Sequence, residues 1–366
     1  MNRFWAGIAA LSILCTVTPD LAAQTAAPAY GAYGHYPIGS TRVLAMGGAF
    51  VGLADDASAV VSNPAGLAFA KQIADYTIGE DRVVNREVYF NGNTSQKEGL
   101  PYTSQFNAGA LRLGFLGLGA SYARPYDLDY DAGGTLNTHR LLRVESFDVA
   151  LALGFYNRLA VGVAGHMERV RLAYQNPDGS RLESKGKKTY PSGGLLFQAT
   201  KNIGLGITFA PERRYDLDEK LDLQISGGGV EWFHDVVIPA KTTLGMSVQF
   251  SDYLSGVGDI DVFQPVKNAI FVGGSQNSPA DKLIESQQTV VHGGFEYFVR
   301  KSKALDFIWR GGGYIEPARL NYTSDRFHFT MGVEVRYRFI VLAASYDQAA
   351  GFSNVAQSAG INIGAF

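Results

Sequence analysis

Cysteine is almost absent from this 366-residue chain, and histidine is scarce. The one cysteine, Cys15, lies within the first 23 residues, so removal of that segment would leave no disulfide, thiolate metal site or thiol chemistry. The six histidines show no His-x-x-x-His pair or other metal-ligand spacing. A Gly-x-Ser-x-Gly nucleophile turn is also missing. We therefore predict no enzyme, no metal site and no cofactor.

Long apolar runs are lacking after the N-terminal segment, because no later stretch reaches the roughly 18 residues that a membrane-spanning helix needs. A strong net charge is lacking too. The formal value of −2 gives no electrostatic reason to expect nucleic acid as a partner. What is abundant is glycine, with 43 residues, together with 19 tyrosines and 22 phenylalanines. This mixture suits strands that face lipid on one side and a close-packed or wet surface on the other.

The first 23 residues resemble a secretory signal. Arg3 precedes an apolar run over residues 4–17, and small residues before Gln24 offer a cleavage site. The run is too short to cross a bilayer. The alternative is a lipoprotein signal, in which Cys15 would be the lipidated residue. Leu14 fits poorly at the position directly before such a cysteine. Either signal predicts export of the chain.

Apolar and polar residues alternate with a period of two in several segments, as expected for strands whose faces meet different surroundings. Over residues 146–155, one parity carries large apolar side chains and the other carries small or polar ones. The same split resumes after a short turn at Asn157 and Arg158, which predicts a hairpin. Over residues 327–337, large apolar residues alternate with openly charged ones.

A soluble sandwich alternates in the same way, with its apolar face against a second sheet. Two patterns favour a membrane barrel instead: aromatic residues near strand ends, and short turns that alternate with longer polar connections. The longer connections include residues 124–142, 173–189, 211–237 and 264–286. We predict an all-β fold, an antiparallel transmembrane β-barrel of about fourteen strands. An even count lets the first and last strands pair, which removes exposed edges.

The predicted last strand ends on Phe366, an aromatic end that resembles the signal read by barrel-assembly machinery. Its alternation is imperfect. Gly364 and Asn362 share the parity of Phe366, whereas Ile363 and Ile361 lie on the other. We therefore predict a bulge or a register shift in this strand.

Several charged residues have the parity of the barrel interior. They are His166, Glu168, Glu296, Arg310, Glu334 and Arg336, with Asp148 and Asp306 as possible neighbours. Charges in a small closed lumen need partners whatever the protein does, so a structural network is the first interpretation. A site for a ligand carboxylate is the second. Arg310 and Arg336 are its candidates, because a guanidinium binds a carboxylate through two parallel hydrogen bonds.

Residues 39–70 lack strand alternation and contain turn and cap signals instead. These signals are Gly47, Gly48, Asp55, Asp56, Asn63, Pro64, Ala65 and Gly66. The paired glycines permit a tight turn, one of the aspartates is placed to cap a short helix, and the Asn-Pro pair ends it. A compact segment held together by turns explains the stretch without any ligand.

This stretch resembles the N-terminal hatch of the FadL family of long-chain fatty-acid and hydrophobic-compound transporters. The matching runs are residues 45–50, 54–59 and 63–67, the last reading Asn-Pro-Ala-Gly-Leu. Members of that family are fourteen-stranded barrels plugged by a small hatch with an Asn-Pro-Ala signature. The resemblance implies a signal peptide at 1–23, a hatch at 24–72 and a barrel at 73–366, in the bacterial outer membrane.

The resemblance also implies a channel that captures hydrophobic small molecules, such as fatty acids or aromatic hydrocarbons, in outer loops and passes them by the hatch. Trp232, Phe233 and Phe271 are unusually apolar for exposed connections and are the candidate capture residues. Loops that fold on one another or touch lipid at the rim explain them equally well. The expected partners are outer-membrane lipid, a hydrophobic ligand and barrel-assembly machinery, with no nucleic acid.

A second function stays open because similar hatches occur in barrels of the type IX secretion system. The alternative is therefore a secretion-associated or structural barrel that docks partner proteins without transporting lipid. A bound acyl chain would favour the channel, whereas a stoichiometric protein partner would favour docking.

Overall fold

The computed structural model describes residues 29–31, 38–87, 97–98, 102–132, 138–175, 181–224, 230–266, 269–271, 287–300, 305–317, 325–349 and 352–364. The predicted signal segment and Phe366 lie outside these residues. The strands in chain order are β1 (Ala29–Gly31), β2 (Gln72–Glu87), β3 (Lys97–Glu98), β4 (Tyr102–Leu113), β5 (Leu116–Ala132), β6 (Thr138–Phe155), β7 (Leu159–Gln175), β8 (Arg181–Thr200), β9 (Ile203–Ala210), β10 (Arg213–Gln224), β11 (Val230–Ile238), β12 (Lys241–Gln249), β13 (Leu254–Phe263), β14 (Ala269–Phe271), β15 (Gln288–Arg300), β16 (Leu305–Glu316), β17 (Arg326–Tyr337), β18 (Ile340–Ala349) and β19 (Phe352–Gly364).

A closed antiparallel barrel of 14 strands dominates the fold. It comprises β2, β4 to β9, β12, β13 and β15 to β19, and β19 pairs with β2 to close it. The predicted barrel and strand number are thus confirmed. The register between β19 and β2 shifts between Ile363 and Gly364. The predicted irregularity in the last strand is therefore confirmed as well. Closure leaves the barrel without the free strand edges that hydrocarbon would not tolerate.

The outer face of the barrel carries a belt of exposed large apolar side chains. On β6, Phe147 and Leu151 are exposed, whereas Asp148 and Ala152, of the other parity, are buried. On β17, Phe329 and the same-parity residues around it are exposed in the same way. Such a belt fits the hydrocarbon of a bilayer and would be costly in water.

Strand pairing continues well beyond this belt. The observed connections are therefore shorter than the sequence pattern predicts. The interval 124–142 contains the ends of β5 and β6, and 173–189 contains those of β7 and β8. Cross-strand polar pairs stabilise these extensions. One example is Arg171, which donates to both carboxylate oxygens of Glu183 at 2.9 and 2.8 Å.

A second sheet has four strands in the order β10, β11, β1 and β14, and its β10 packs against β8 of the barrel. It is built from the intervals 211–237 and 264–286, which the sequence pattern predicts as loops. β1 pairs in parallel with both β11 and β14, with Tyr30 opposite Val236 and Ile270. The N-terminal segment therefore joins the two connections that contain the candidate capture residues.

The hatch, described over residues 38–71, occupies the barrel interior. It contains helix α1 (Thr41–Ala45), helix α2 (Ala59–Ser62) and a 3₁₀ helix (Pro64–Phe69). Apolar hatch residues such as Phe50 and Leu67 form one buried core with wall residues such as Ala152 and Leu196. Within the described residues, no helix is long and apolar enough to cross a membrane.

Backbone meets backbone where the hatch touches the wall, and glycine makes this contact possible. Gly47 has a φ of +68°, and a Cβ atom there would lie 2.5 Å from the carbonyl oxygen of Gly313 on β16. At Gly162 on β7, a Cβ atom would lie 2.2 Å from the backbone nitrogen of Ala65. Side chains at these positions would push the hatch away from the wall.

Candidate functional site

The hatch separates two cavities inside the barrel. The outer cavity, at the end with the long connections, has a volume of about 180 Å³. The inner cavity, at the end with the short turns, has a volume of about 390 Å³. Val43, Val51 and Val61 give the outer cavity part of its apolar lining. The inner cavity is lined mainly by polar groups such as Lys71, Gln72 and Asp306.

Asn63 is the centre of the hatch signature and is fully buried. Its amide nitrogen donates to the carbonyl oxygens of Val51, at 2.9 Å, and Leu195, at 3.1 Å. Its side-chain oxygen accepts from the backbone N–H of Ala65 at 3.2 Å, which caps the 3₁₀ helix. One amide thus joins two hatch segments and strand β8 of the wall. Pro64 supplies the fixed φ that suits the first position of the helix.

The two aspartates of the hatch have different roles. Asp56 accepts from the backbone N–H of Ser58 at 2.8 Å, just before α2 begins at Ala59. The N-cap residue is Ser58, so the prediction that an aspartate caps this helix is wrong, and Asp56 instead bonds to the backbone of the N-cap residue. Asp55 instead pairs with Arg42 at 2.6 Å and with Lys71 at 2.5 Å.

Arg42 is the main ionic link between hatch and wall. Its guanidinium contacts Asp55, Asp56 at 2.9 Å and Glu296 of β15 at 3.0 Å. Burial alone would lower the pKa of Arg42, but the three carboxylates raise it well above its usual value. Sequence reasoning missed this residue. Arg42 is the one basic residue between 39 and 70, and the same stretch contains the paired aspartates. This combination could have indicated an ion pair within the hatch.

The ionic network continues along the wall through Arg310 and Arg336. The Nε–H of Arg310 donates to Glu296 at 2.7 Å, and another guanidinium nitrogen lies 2.8 Å from Glu334. Arg336 pairs with the second oxygen of Glu334 and lines the inner cavity. Arg310 is only 1% exposed, so a ligand carboxylate would have to displace Glu296 or Glu334 to reach it. Arg336 is the more accessible of the two candidates.

Wall side chains also hold the hatch backbone by hydrogen bonds around the barrel. Asp259 of β13 accepts from the backbone N–H groups of Phe50 and Val51 at 2.6 and 2.8 Å. Ser247 of β12 donates to the carbonyl of Gly52 at 2.7 Å, and Thr330 of β17 donates to that of Ala45 at 3.0 Å. The hatch is therefore fixed on several sides by contacts that can break and reform individually.

We predict that acid weakens this attachment through Asp55. Burial alone would raise the pKa of Asp55, but Arg42 and Lys71 hold it at about 2, below its ordinary value of 3.8. Its contribution is therefore complete above about pH 5 and disappears as the pH falls through 2. At pH 3 the hatch should lose about 1 kcal/mol of stabilisation.

Planar-bilayer recordings test this expectation. Channel openings of the wild-type protein should become more frequent between pH 5 and pH 3. Asp55→Asn should open more often at pH 7 and respond less to this pH change. An identical pH response in the wild type and Asp55→Asn would contradict the assignment.

The outer cavity contains a second buried polar cluster. Glu168 of β7 accepts hydrogen bonds from Tyr190 at 2.9 Å, from Arg213 at 3.1 Å and from Tyr215. The guanidinium of Arg213 also stacks on the Tyr190 ring, 4.9 Å from its centre. Among the described residues, the buried Nε atom of Arg213 has no hydrogen-bond partner. This cation was not predicted as a site residue, because its partner Glu168 lies 45 residues earlier in the chain and no local pattern links the two.

The candidate capture residues lie in the four-stranded sheet. Trp232 and Phe233 belong to β11, and Phe271 belongs to β14. The structure describes their backbone positions. One strand, β1, lies between β11 and β14, and Phe271 is level with Val237. Trp232 and Phe233 lie four to five residues earlier on β11, roughly 13 to 17 Å further along the strand direction. The sheet brings together residues that are distant in sequence. Ile238, the last residue of β11, reaches the outer cavity.

Comparison with known proteins finds similarity of structure alone. No protein-family model and no curated protein sequence matches the chain. A Pseudomonas aeruginosa FadL homologue has a TM-score of 0.68 and 13% sequence identity, over 89% of this chain and 99% of that one. The Pseudomonas putida toluene transporter TodX has a TM-score of 0.60 at 16% identity, over 92% and 100%. The Ralstonia pickettii toluene transporter TbuX has 0.59 at 15%, over 90% and 99%. The chain therefore has the fold of FadL-like outer-membrane transporters, as the hatch motif predicts.

Proposed function

We propose that this protein is an outer-membrane channel that takes up hydrophobic small molecules and passes them by the hatch. The observation that carries the proposal is the position of the hatch, with one cavity on each side of it. A plug with space above and below is the arrangement expected of a gated path. The similarity to fatty-acid and toluene transporters supports this proposal at the level of the fold.

The proposed path begins at the four-stranded sheet. Trp232, Phe233 and Phe271 form the capture region there, and an apolar molecule continues from β11 to the outer cavity. Val51 and Val61 of the hatch offer it apolar contacts. Polar groups are numerous in that cavity, and those such as Ser192 and Arg213 fix the orientation of the ligand.

Passage beyond the outer cavity requires the hatch to move. The contacts that oppose movement are the ion pairs of Arg42 and the hydrogen bonds of Asn63. Each is made by a side chain, so a local rearrangement breaks it without unfolding the barrel. The hatch signature Gly47, Gly48, Asp55, Asp56, Asn63, Pro64, Ala65 and Gly66 then serves to seat a movable plug and does not select the ligand.

Replacing Trp232 and Phe233 with serine should weaken binding of a hydrophobic probe about tenfold, because the variant loses apolar contact area. The probes are 12-bromododecanoate and 4-bromotoluene, with binding to the purified full-length barrel measured by equilibrium dialysis. The conservative pair Trp232→Phe and Phe233→Leu is the matched control and should bind nearly as well as the wild type. Equal affinity of the serine variant and the wild type would remove the capture region from the proposal.

The bromine atoms also locate the ligand, because they scatter anomalously in crystals of the soaked protein. The channel proposal expects bromine density in the outer cavity. The alternative, a barrel that docks proteins, expects no bromine there and a stoichiometric protein partner after purification in mild detergent.

A further inference from the structure

Three side chains on neighbouring strands form a continuous hydrogen-bonded series at the outer cavity. Nδ1 of His166, on β7, lies 2.7 Å from Oδ1 of Asp148 on β6. Nε2 of the same ring lies 2.7 Å from Oγ of Ser192 on β8. All three residues line the outer cavity. From these contacts we infer that Ser192, His166 and Asp148 form a nucleophilic triad that cleaves carboxylic esters of small apolar acids.

The partners of Asp148 determine which nitrogen of His166 carries the proton. The carboxylate is 1% exposed and accepts from Ser121 at 2.8 Å and from Ser146 at 2.5 Å. Both serine hydroxyls donate to the carboxylate, and in its third contact the carboxylate accepts from the Nδ1–H of His166. Nε2 is then the acceptor and the Ser192 hydroxyl donates to it. This is the order of donors and acceptors that activates a serine.

The imidazole ring is held in this orientation by stacking. Tyr190 lies parallel to it, with ring centres 4.5 Å apart and an angle of 12° between the planes. Arg213 stacks on Tyr190, and the Tyr190 hydroxyl bonds to Glu168. A base that is fixed by rigid neighbours does not have to be reoriented during the reaction.

The surroundings of the triad indicate the class of substrate. Ser192 is partly exposed, and Val61 and Ile238 supply apolar surface in the same cavity. The Nε–H of Arg213, which has no hydrogen-bond partner in the described part of the chain, is a buried donor in this cavity and suits an oxygen of the substrate. A volume of about 180 Å³ suits a short acyl group that is enclosed whole, whereas a longer chain enters with one end only. A short-chain or aryl ester meets these conditions.

The chemistry balances without a cofactor. Oγ of Ser192 attacks the ester carbonyl while Nε2 of His166 takes the hydroxyl proton. The bond between the carbonyl carbon and the alcohol oxygen breaks, and the departing alcohol receives that proton. Water then attacks the acyl-serine with His166 again as base, which releases the acid and restores Ser192. Asp148 is a positioning residue, because it acts through His166.

Covalent labelling of the purified full-length protein tests the triad. Diisopropyl fluorophosphate should phosphorylate Ser192 with loss of fluoride, seen as an adduct in the intact mass and located by peptide mapping. His166→Gln should label about 10²-fold more slowly or worse, since it lacks the base. Ser62→Ala is the matched control, because Ser62 also lines the cavity while its hydroxyl bonds to the carbonyl of Ser58. It should label at the wild-type rate.

Hydrolysis of p-nitrophenyl butyrate provides the second measurement. The wild type and Ser62→Ala should hydrolyse it, whereas Ser192→Ala should not exceed the rate in buffer. Absence of a Ser192 adduct, or equal hydrolysis by Ser192→Ala, overturns the inference. Binding of 12-bromododecanoate by Ser192→Ala is measured in parallel. Retained binding without any labelling leaves the channel proposal intact, so the two proposals fail separately.

Discussion

Replacing Arg42 with methionine should destabilise the seated hatch by about 3 to 5 kcal/mol, because removing one partner of a buried ion pair leaves the other charges uncompensated. Asp55, Asp56 and Glu296 would lose the cation that they share. Glu296 would keep Arg310 and Asp55 would keep Lys71, so the barrel itself should still fold. The hatch should then open often while the wall stays intact.

Hydrogen exchange and bilayer conductance measure this effect. Backbone amides of residues 41–69 should exchange faster by roughly two to four orders of magnitude, the rate equivalent of 3 to 5 kcal/mol. Arg171→Met is the matched control, since Arg171 pairs with Glu183 and is 38% exposed. Such a pair contributes at most about 1 kcal/mol. Hatch exchange equal to that of the control would show that Arg42 does not anchor the hatch.

Gly162→Ala should also displace the hatch, at a cost of about 3 kcal/mol, the upper end for overpacking. The new methyl group would lie 2.2 Å from the nitrogen of Ala65 and 2.3 Å from the carbonyl carbon of Pro64. Both are backbone atoms, so no side-chain rotation relieves the contact. The hatch would have to leave its seat beside β7, and the bond from Asn63 to Leu195 would be strained with it.

A matched control lies on the same strand. At Gly165, which faces outward, the nearest atom to an added Cβ is 3.9 Å away, in Val149. Gly165→Ala should therefore leave conductance and hatch exchange unchanged. Gly162→Ala should raise both, while both variants keep the gel mobility of a folded barrel. If the two alanine variants conduct alike, the close contact between hatch and wall does not control the path.

The sequence predicted the wall well because alternation is a local property. A period of two assigns a face to every residue of a strand, and the inward face of Glu296, Arg310 and Glu334 followed from parity alone. The pattern could not show which charges meet, because Arg42 reaches Glu296 across more than two hundred residues of chain. For the same reason, His166 and Asp148 were placed inside the barrel while Ser192 was missed.

The outer connections were predicted least well. Intervals 211–237 and 264–286 have the polarity of loops, yet they contain strands that pair with one another and with β1. Pairing in parallel with an N-terminal segment is a non-local event that no turn signal marks. The hatch was predicted better than the outer connections but less completely than the wall. Its motif predicted the position of Asn63 as a key residue, although the three bonds of its amide became visible only in the folded chain.

The seam between β19 and β2 restricts the order in which the molecule is assembled. The hatch leads directly into β2, and Thr41 of the hatch is hydrogen-bonded to Ser358 of β19 at 2.7 Å. Pairing of the first and last strands is the least local step of folding and is expected to come late. The hatch must already be between the open strands when this pairing occurs, since afterwards the wall surrounds it. A circular permutant with the hatch placed after β19 would have to insert its plug through the mouth of a finished barrel, so it should assemble more slowly than the natural order.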